Sequence, residues 1–275
     1  MTEQYRELKD SIAFDPDPKD KELIKRKRMT EKVLIGISLV SAALTGAFFL
    51  TDFRLKNTFI FVTLVLLVAL YLYAKGISVK ATAILQDKCD PAGYLSYYAA
   101  LLENAGRRSD WGAHFYNVGA ALCYAGRWDD ARAVLDLFSH NITDNKALFR
   151  YRLLANMLAF HDGNKDEMMK QLGKLKGTRA AIDTTGELEK LYQQGLQMPI
   201  QLDILEKKDY RMGFEAFKDT EKSEKRDDTM LDQVNRSFFL YKLAKGMQDD
   251  YLTCKYGSFV GVNGGTMDIK NQIEL

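Results

Sequence analysis

Apolar residues recur every three or four positions through most of the C-terminal two thirds of the chain, the period of an amphipathic helix. Two earlier stretches have no polar face at all. Val33 to Thr51 reads VLIGISLVSAALTGAFFLT and Thr58 to Ala74 reads TFIFVTLVLLVALYLYA, both without a charged residue. A bilayer core of ~30 Å takes roughly 20 residues of helix, with 17 near the lower limit. The pattern therefore predicts a transmembrane hairpin, 33–51 and 58–74, joined by Asp52 to Asn57. Reading them as buried helices of a soluble core fits poorly, because such helices keep a polar face. A signal peptide would need an unusually long head and leaves the second span unexplained.

Before the hairpin, residues 1–32 read as a flexible head. Tyr5, Leu8 and Ile12 allow one short amphipathic turn, and Asp15-Pro16-Asp17-Pro18 favours extended chain. After it, 75–90 reads as a linker helix and 91–250 as a succession of helices. Pro91 suits a first helical position after Asp90, and Tyr94, Leu95, Tyr98, Leu101 and Leu102 form its buried stripe. Phe115 to Ala125 follows, then a break at Gly126-Arg127, then Trp128 to Phe138. The run Lys218 to Asp228 has no apolar residue and reads as a solvated loop. Leu231 to Met247 makes one more helix, a cap on the stack. The tail 251–275, rich in glycine, reads as loop or a short strand. The fold class expected is all-α.

Charge sets the orientation. Lys21, Lys25, Arg26, Lys27, Arg28 and Lys32 precede the first span and Lys75 and Lys80 follow the second, against Arg54 and Lys56 between them. The positive-inside rule places both termini in the cytoplasm. The KRKR run at 25–28, next to a span, reads as an anchor on anionic lipid rather than a nucleic-acid patch. The chain carries 39 Lys+Arg and 37 Asp+Glu, and residues 75–275 balance to no net charge. Such a domain has no basic surplus with which to bind nucleic acid. Neither span holds an ionisable group, which argues against an ion or proton pathway. Ser38, Ala42 and Gly46 instead form a small-residue stripe that lets helices approach closely in lipid.

Chemistry-bearing motifs are few. The 3 histidines are His114, His140 and His161, and His161-Asp162 sits in an inter-helix turn where a metal pair lacks its other ligands. Cys89, Cys123 and Cys254 are odd in number and widely spaced, so no disulfide framework is expected. No phosphate loop, Cys-x-x-Cys or His-Glu-x-x-His is present. The expectation is a non-catalytic protein with no cofactor, no metal and no small-molecule substrate.

The most informative stretch is YNVGAALCYAGRWDDARAVLDLF. Phe115, Val118, Gly119, Leu122, Gly126, Trp128, Ala131, Leu135 and Phe138 fall close to the signature spacing of the tetratricopeptide repeat, which this chain resembles. Phe138 departs, since the family has a small residue there. Leu154, Ala155, Gly163, Met168 and Leu172 repeat the scheme, with Asn156 and Lys165 replacing the first glycine and the turn aromatic. A third unit runs through Asp209, Tyr210, Gly213 and Phe217, its first helix disturbed by Pro199. The run CDPAGYLSYYAALLENAG is similar to the opening helices of bacterial membrane-anchored helical-repeat proteins. The resemblance implies a stacked solenoid whose concave face binds a protein. It implies Tyr116, Ala120, Cys123, Tyr124, Arg150, Leu153, Met157, Phe160 and His161 as groove residues, on an integral protein of a bacterial plasma membrane. An adaptor recruiting a protein partner is the first reading. A structural or regulatory subunit of a transport or secretion complex, held through its spans, is the second.

Overall fold

A computed structural model of the chain describes residues 2–12, 15–49, 56–103, 105–106, 109–182, 186–218 and 228–274. Among these residues all regular structure is helical. Most of the expected inter-span turn (52–55) and of the charged loop (219–227) lies outside the described residues.

The described part of the head, expected to be mainly extended, contains helix. Helix α1, Glu3–Ser11, is capped by Thr2, whose hydroxyl accepts from the Tyr5 N–H. Tyr5, Leu8 and Ile12 share one face and are buried, and α1 packs against the helix Trp128–His140, named α6 below. Helix α2, Pro18–Phe49, opens on its proline, where a missing N–H costs nothing. Asp17 accepts the Lys19 N–H at 2.7 Å and its own N–H donates to Ser96 Oγ at 2.9 Å. Ser96 in turn donates to Asp20, and Lys21 pairs with Glu103 at 2.8 Å. The head is thus the lower part of a long helix fastened to the domain.

α2 runs without a break into the apolar segment and packs along α3, Lys56–Gln86. At 1.5 Å per residue each is ~45–50 Å long, longer than the bilayer core. Their lower ends, at Ile24 and Ala81, join the domain core, while Leu39, Val40, Phe61, Leu64 and Leu72 stand exposed on the upper shaft. The stretch Pro18–Ala47 near the N-terminus is long and apolar enough to cross a membrane; in α3 the apolar stretch is shorter, Ile60–Tyr73.

The domain begins at α4, Pro91–Leu102, capped by Asp90. Among the described residues four helix pairs follow. They are α5, Trp111–Tyr124, with α6, Trp128–His140; α7, Asn145–His161, with α8, Lys165–Arg179; α9, Glu187–Lys207, with α10, Tyr210–Lys218; and α11, Met230–Gly246, with α12, Asp250–Asn263. Every pair is joined by the same turn. At Gly126, Gly163, Lys208 and Gln248 the backbone enters the left-handed region, with φ of 73°, 64°, 58° and 59°. The next N–H then reaches back five residues: Arg127 to Leu122, Asn164 to Ala159, Asp209 to Ile204 and Asp249 to Ala244, at 2.9–3.1 Å. This is the Schellman ending, which satisfies carbonyls the helix leaves free. First helices of successive pairs pack on each other (α5 on α7, α7 on α9), and second helices pack on the next first helix (α6 on α7, α8 on α9, α10 on α11).

Two expectations are corrected. The tail is not loop or strand over 251–263 but helix α12, with Asp249 accepting the Leu252 N–H at 3.0 Å. Its glycines do not break it because Gly257 and Val260 are buried and α12 packs on α11. Pro199 does not divide α9, which is continuous from Glu187 to Lys207.

Candidate functional site: the inner face and the shaft

After α12 the end of the described chain packs back on the start of the domain. The Thr266 N–H donates to the Cys89 carbonyl at 3.1 Å and Thr266 Oγ1 donates to Asp90 at 2.6 Å. Cys89, Leu231, Val234, Val260 and Met267 form a small core there, with Tyr124 and Phe238 beside it.

This contact bears on what the groove residues can do. Tyr124 is partly buried, Asn235 on α11 hydrogen-bonds its hydroxyl, and burial of that hydroxyl raises its pKa, helped by the nearby Asp232 charge. Tyr116, Ala120, Cys123 and Leu153 are buried. Burial pushes the Cys123 thiol up to about 12, so it is no ready nucleophile. Arg150 keeps a small solvent contact and pairs with Asp110 at 2.8 Å. Met157 and Phe160 are partly buried, and Met157 packs on the main core. His161 is exposed and its ring stacks on Trp128. Of the five residues favoured for a groove, Tyr116 is buried, Tyr124, Arg150 and Met157 are partly buried, and His161 is exposed.

A polar cluster beside Arg150 was not anticipated. Tyr98 Oη lies 2.7 Å from His114 Nδ1, and Asn117 Nδ2 donates to the same hydroxyl at 3.1 Å. Asp110 caps α5 through the Ala113 N–H while accepting from Arg150. Burial lifts the Tyr98 hydroxyl to about 12 and depresses His114, with Asp110 opposing that depression and Arg150 adding to it. For Asp110 burial works upward, but the Ala113 N–H and Arg150 outweigh it and hold the carboxyl low. His114 and Tyr98 come from different helices, and no local spacing links them.

A second tie is Asp232 at the start of α11. It accepts from Lys190 at 2.6 Å, Gln194 at 2.8 Å, and both the N–H and hydroxyl of Thr229. Burial would raise its pKa, but Lys190 and Thr229 outweigh that and lower it. It fastens α9 to α11. On the outside, an open depression of about 460 Å³ is bordered by Lys176, Arg179, Ala180 and Tyr192; Arg179 there is engaged by Glu189 at 2.9 Å.

On the shaft the small-residue stripe is split. Ser38 is buried, as is Ser41, whose hydroxyl lies 2.8 Å from that of Thr63 on α3. Thr45 Oγ1 is 3.0 Å from Thr63 Oγ1. Ala42 and Gly46 are exposed, and a Cβ added at Gly46 would meet nothing within 4 Å. The contact between α2 and α3 therefore runs through Ser38, Ser41 and Thr45, leaving Ala42 and Gly46 on an open face. Comparison with protein-family models, with curated proteins and with solved structures finds no match for this chain.

Proposed function

We propose that this chain is a membrane-tethered, non-catalytic helical-repeat adaptor, with a two-helix transmembrane hairpin and both termini in the cytoplasm. The observation carrying the reading is the turn repeated at Gly126, Gly163, Lys208 and Gln248, on a domain fastened to an apolar shaft. Stacked hairpins of this kind, resembling tetratricopeptide repeats, are scaffolds whose helices present side chains in series to a protein partner. The partner surface takes in Arg150, Met157 and His161, among the groove positions that keep solvent access. Integration of the lower α2 into the core, through Ile24 and the Lys21–Glu103 pair, supports a permanent anchor over a removable leader.

Crosslinking and recovery from native membranes test the adaptor. Replacing Arg150, Met157 and His161 with Ala together should abolish recovery of the co-purifying protein while the helical circular dichroism spectrum is unchanged. Ala42→Leu with Gly46→Leu should leave recovery intact. The opposite pattern would favour a second reading, a subunit held in a membrane complex through its spans. That reading has its own support in the outward-facing Ala42 and Gly46, since small residues on a lipid-facing helix let another helix approach.

A further inference from the structure

At the base of the shaft, α2, α3 and α4 pack on one another. Ile24 on α2, Ala81 on α3 and Tyr97 on α4 belong to one core there. Tyr97 is 0% exposed and its hydroxyl has no hydrogen-bond partner. One turn above Ile24 on the same face of α2 lies Arg28, whose Nε is buried and likewise unpartnered. A buried donor left unpaired costs about 1–3 kcal/mol, more when charged, so each of the two calls for an acceptor.

Positive charge predominates beside Lys80, while the Asp20 carboxylate lies near enough to act on Tyr97. Lys80, next to Ala81, holds its ammonium 5.1 Å from the centre of the Tyr97 ring. It is near enough for its charge to act on Lys27 across the helix pair. Three acids of this region are committed elsewhere, Glu22 to Arg26, Asp20 to Ser96, and Glu103 to Lys21, and Glu31 lies one turn beyond Lys27 on α2. Lys27, Arg28 and Lys80 have no carboxylate partner among the described residues. The depth is also informative. Arg28 lies ~7 Å along α2 from Val33, and Lys80 ~9 Å beyond Ala74, at 1.5 Å per residue. A headgroup layer is roughly 5–7 Å thick on each side of the hydrocarbon core. Given the membrane anchorage proposed above, on which this inference rests, the three backbone positions lie at or just beyond the outer edge of that layer, and their long side chains reach back to the lipid phosphates.

We propose that Lys27, Arg28 and Lys80, over the Tyr97 hydroxyl, form a binding site for a phosphate group, filled by the headgroup of an anionic phospholipid. Arginine supplies the directional donors that match phosphate oxygens, and the two ammonium groups supply charge that phosphate neutralises. A phosphate between Lys27 and Lys80 also removes their mutual repulsion, so its occupancy tightens α2 against α3. This differs from diffuse attraction of a basic run to a charged surface, in which every lysine counts alike.

The test uses the full chain in a neutral detergent. It is titrated with a short-chain phosphatidic acid, with inorganic phosphate and with a short-chain phosphatidylcholine, and followed calorimetrically. Saturable binding of phosphatidic acid is expected, with phosphatidylcholine silent. Arg28→Gln and Lys80→Gln should each weaken it ~tenfold, the scale of one charge-assisted hydrogen bond. Lys25→Gln, an equal loss of charge at an exposed position of the same helix, should change it less than ~twofold. Tyr97→Phe keeps the packing and should weaken binding without lowering helix content. Equal losses from Lys25→Gln and Arg28→Gln would overturn the site, as would equal binding of phosphatidylcholine. Inorganic phosphate binding as tightly as phosphatidic acid would overturn the lipid as its source. Carbonate extraction of native membranes tests the anchorage separately. A chain that stays in the pellet while the variants behave alike keeps its anchor and loses the site. A chain that washes off loses the anchor, and with it the lipid as occupant.

Discussion

The rings of Trp128 and His161 stack face to face, 3.6 Å between centroids and 11° from parallel. Trp128 opens α6 and His161 closes α7, so the stack sets the turn of one helix pair beside the turn of the next. Arg132 reinforces it by donating to Asp129 and to Asp162 across the same gap. An aromatic pair of this kind contributes about 0.5–1.5 kcal/mol beyond the area it buries. A double-mutant cycle of Trp128→Ala and His161→Ala in urea should return a coupling of that size. Additive single losses would mean that the neighbouring turns are held by α6 and α7 packing alone.

The first pair should be intolerant of bulk at two glycines. A Cβ on Gly119 would lie 2.4 Å from Leu154 Cδ2, and one on Gly112 would meet Ala147 Cβ at 2.6 Å and its Cα at 2.9 Å. Leu154 and Ala147 are themselves buried, so neither can retreat. Gly119→Val and Gly112→Val should each destabilise by ~1–3 kcal/mol, the usual cost of overpacking. Gly173→Ala on α8, where nothing lies within 4 Å, should instead stabilise by ~0.4–1 kcal/mol through reduced backbone entropy of the unfolded chain. Chemical denaturation of the three variants reads the difference in sign.

The all-helical class and the first two hairpins were legible because their determinants are local. Gly126 and Gly163 mark left-handed turns, and Ala131 is a small residue wholly buried. The third and fourth turns use Lys208 and Gln248, residues with no intrinsic preference for positive φ; the third was read only from the neighbouring Asp209 and Tyr210, and the fourth not at all. The fourth pair was hidden further by glycines in α12, which a local reading takes for loop while tertiary packing makes them helical. The burial of part of the groove positions was illegible for a different reason. Which face of α5 is open depends on the return of residues 264–268 to Cys89, a contact between opposite ends of the domain. The split of Ser38 from Ala42 and Gly46 depends on the roll of α2 against α3, which two featureless apolar stretches do not encode.

That return contact can be broken at one residue. Gly265 has φ of 50°, and a Cβ there would lie 2.2 Å from the Cys89 carbonyl oxygen and 2.5 Å from that of Lys88. Both are backbone atoms, so the segment has to lift away. Gly265→Val should raise hydrogen exchange in α12 and around Asp90 while leaving α7 and α8 protected. Unchanged exchange in α12 would show that its packing on α11, and not the tail, holds it in place.

The polar cluster predicts how stability responds to acid. The folded pKa of His114 lies below the 6.5 of an ordinary imidazole, because burial disfavours the charged ring and Arg150 adds to this, with Asp110 opposing. The folded state therefore binds fewer protons than the unfolded state once pH drops below 6.5. By linkage, the contribution of a neutral His114 is complete above that value and declines as pH falls towards the folded pKa. Protonation also reverses the bond at Nδ1: the Tyr98 hydroxyl would have to accept from His114 as well as from Asn117. Unfolding free energy, measured in urea between pH 7.5 and pH 5 (~ 0.5-unit steps suffice to define a slope), should fall with acid by at most ~1.4 kcal/mol per pH unit, the limit for one proton. His114→Gln should be less stable at pH 7.5, having lost the ring that packs against Trp111 and Tyr98, and should show a shallower decline. Parallel curves for the two proteins would assign the acid response to other carboxylates and histidines and remove His114 from the account.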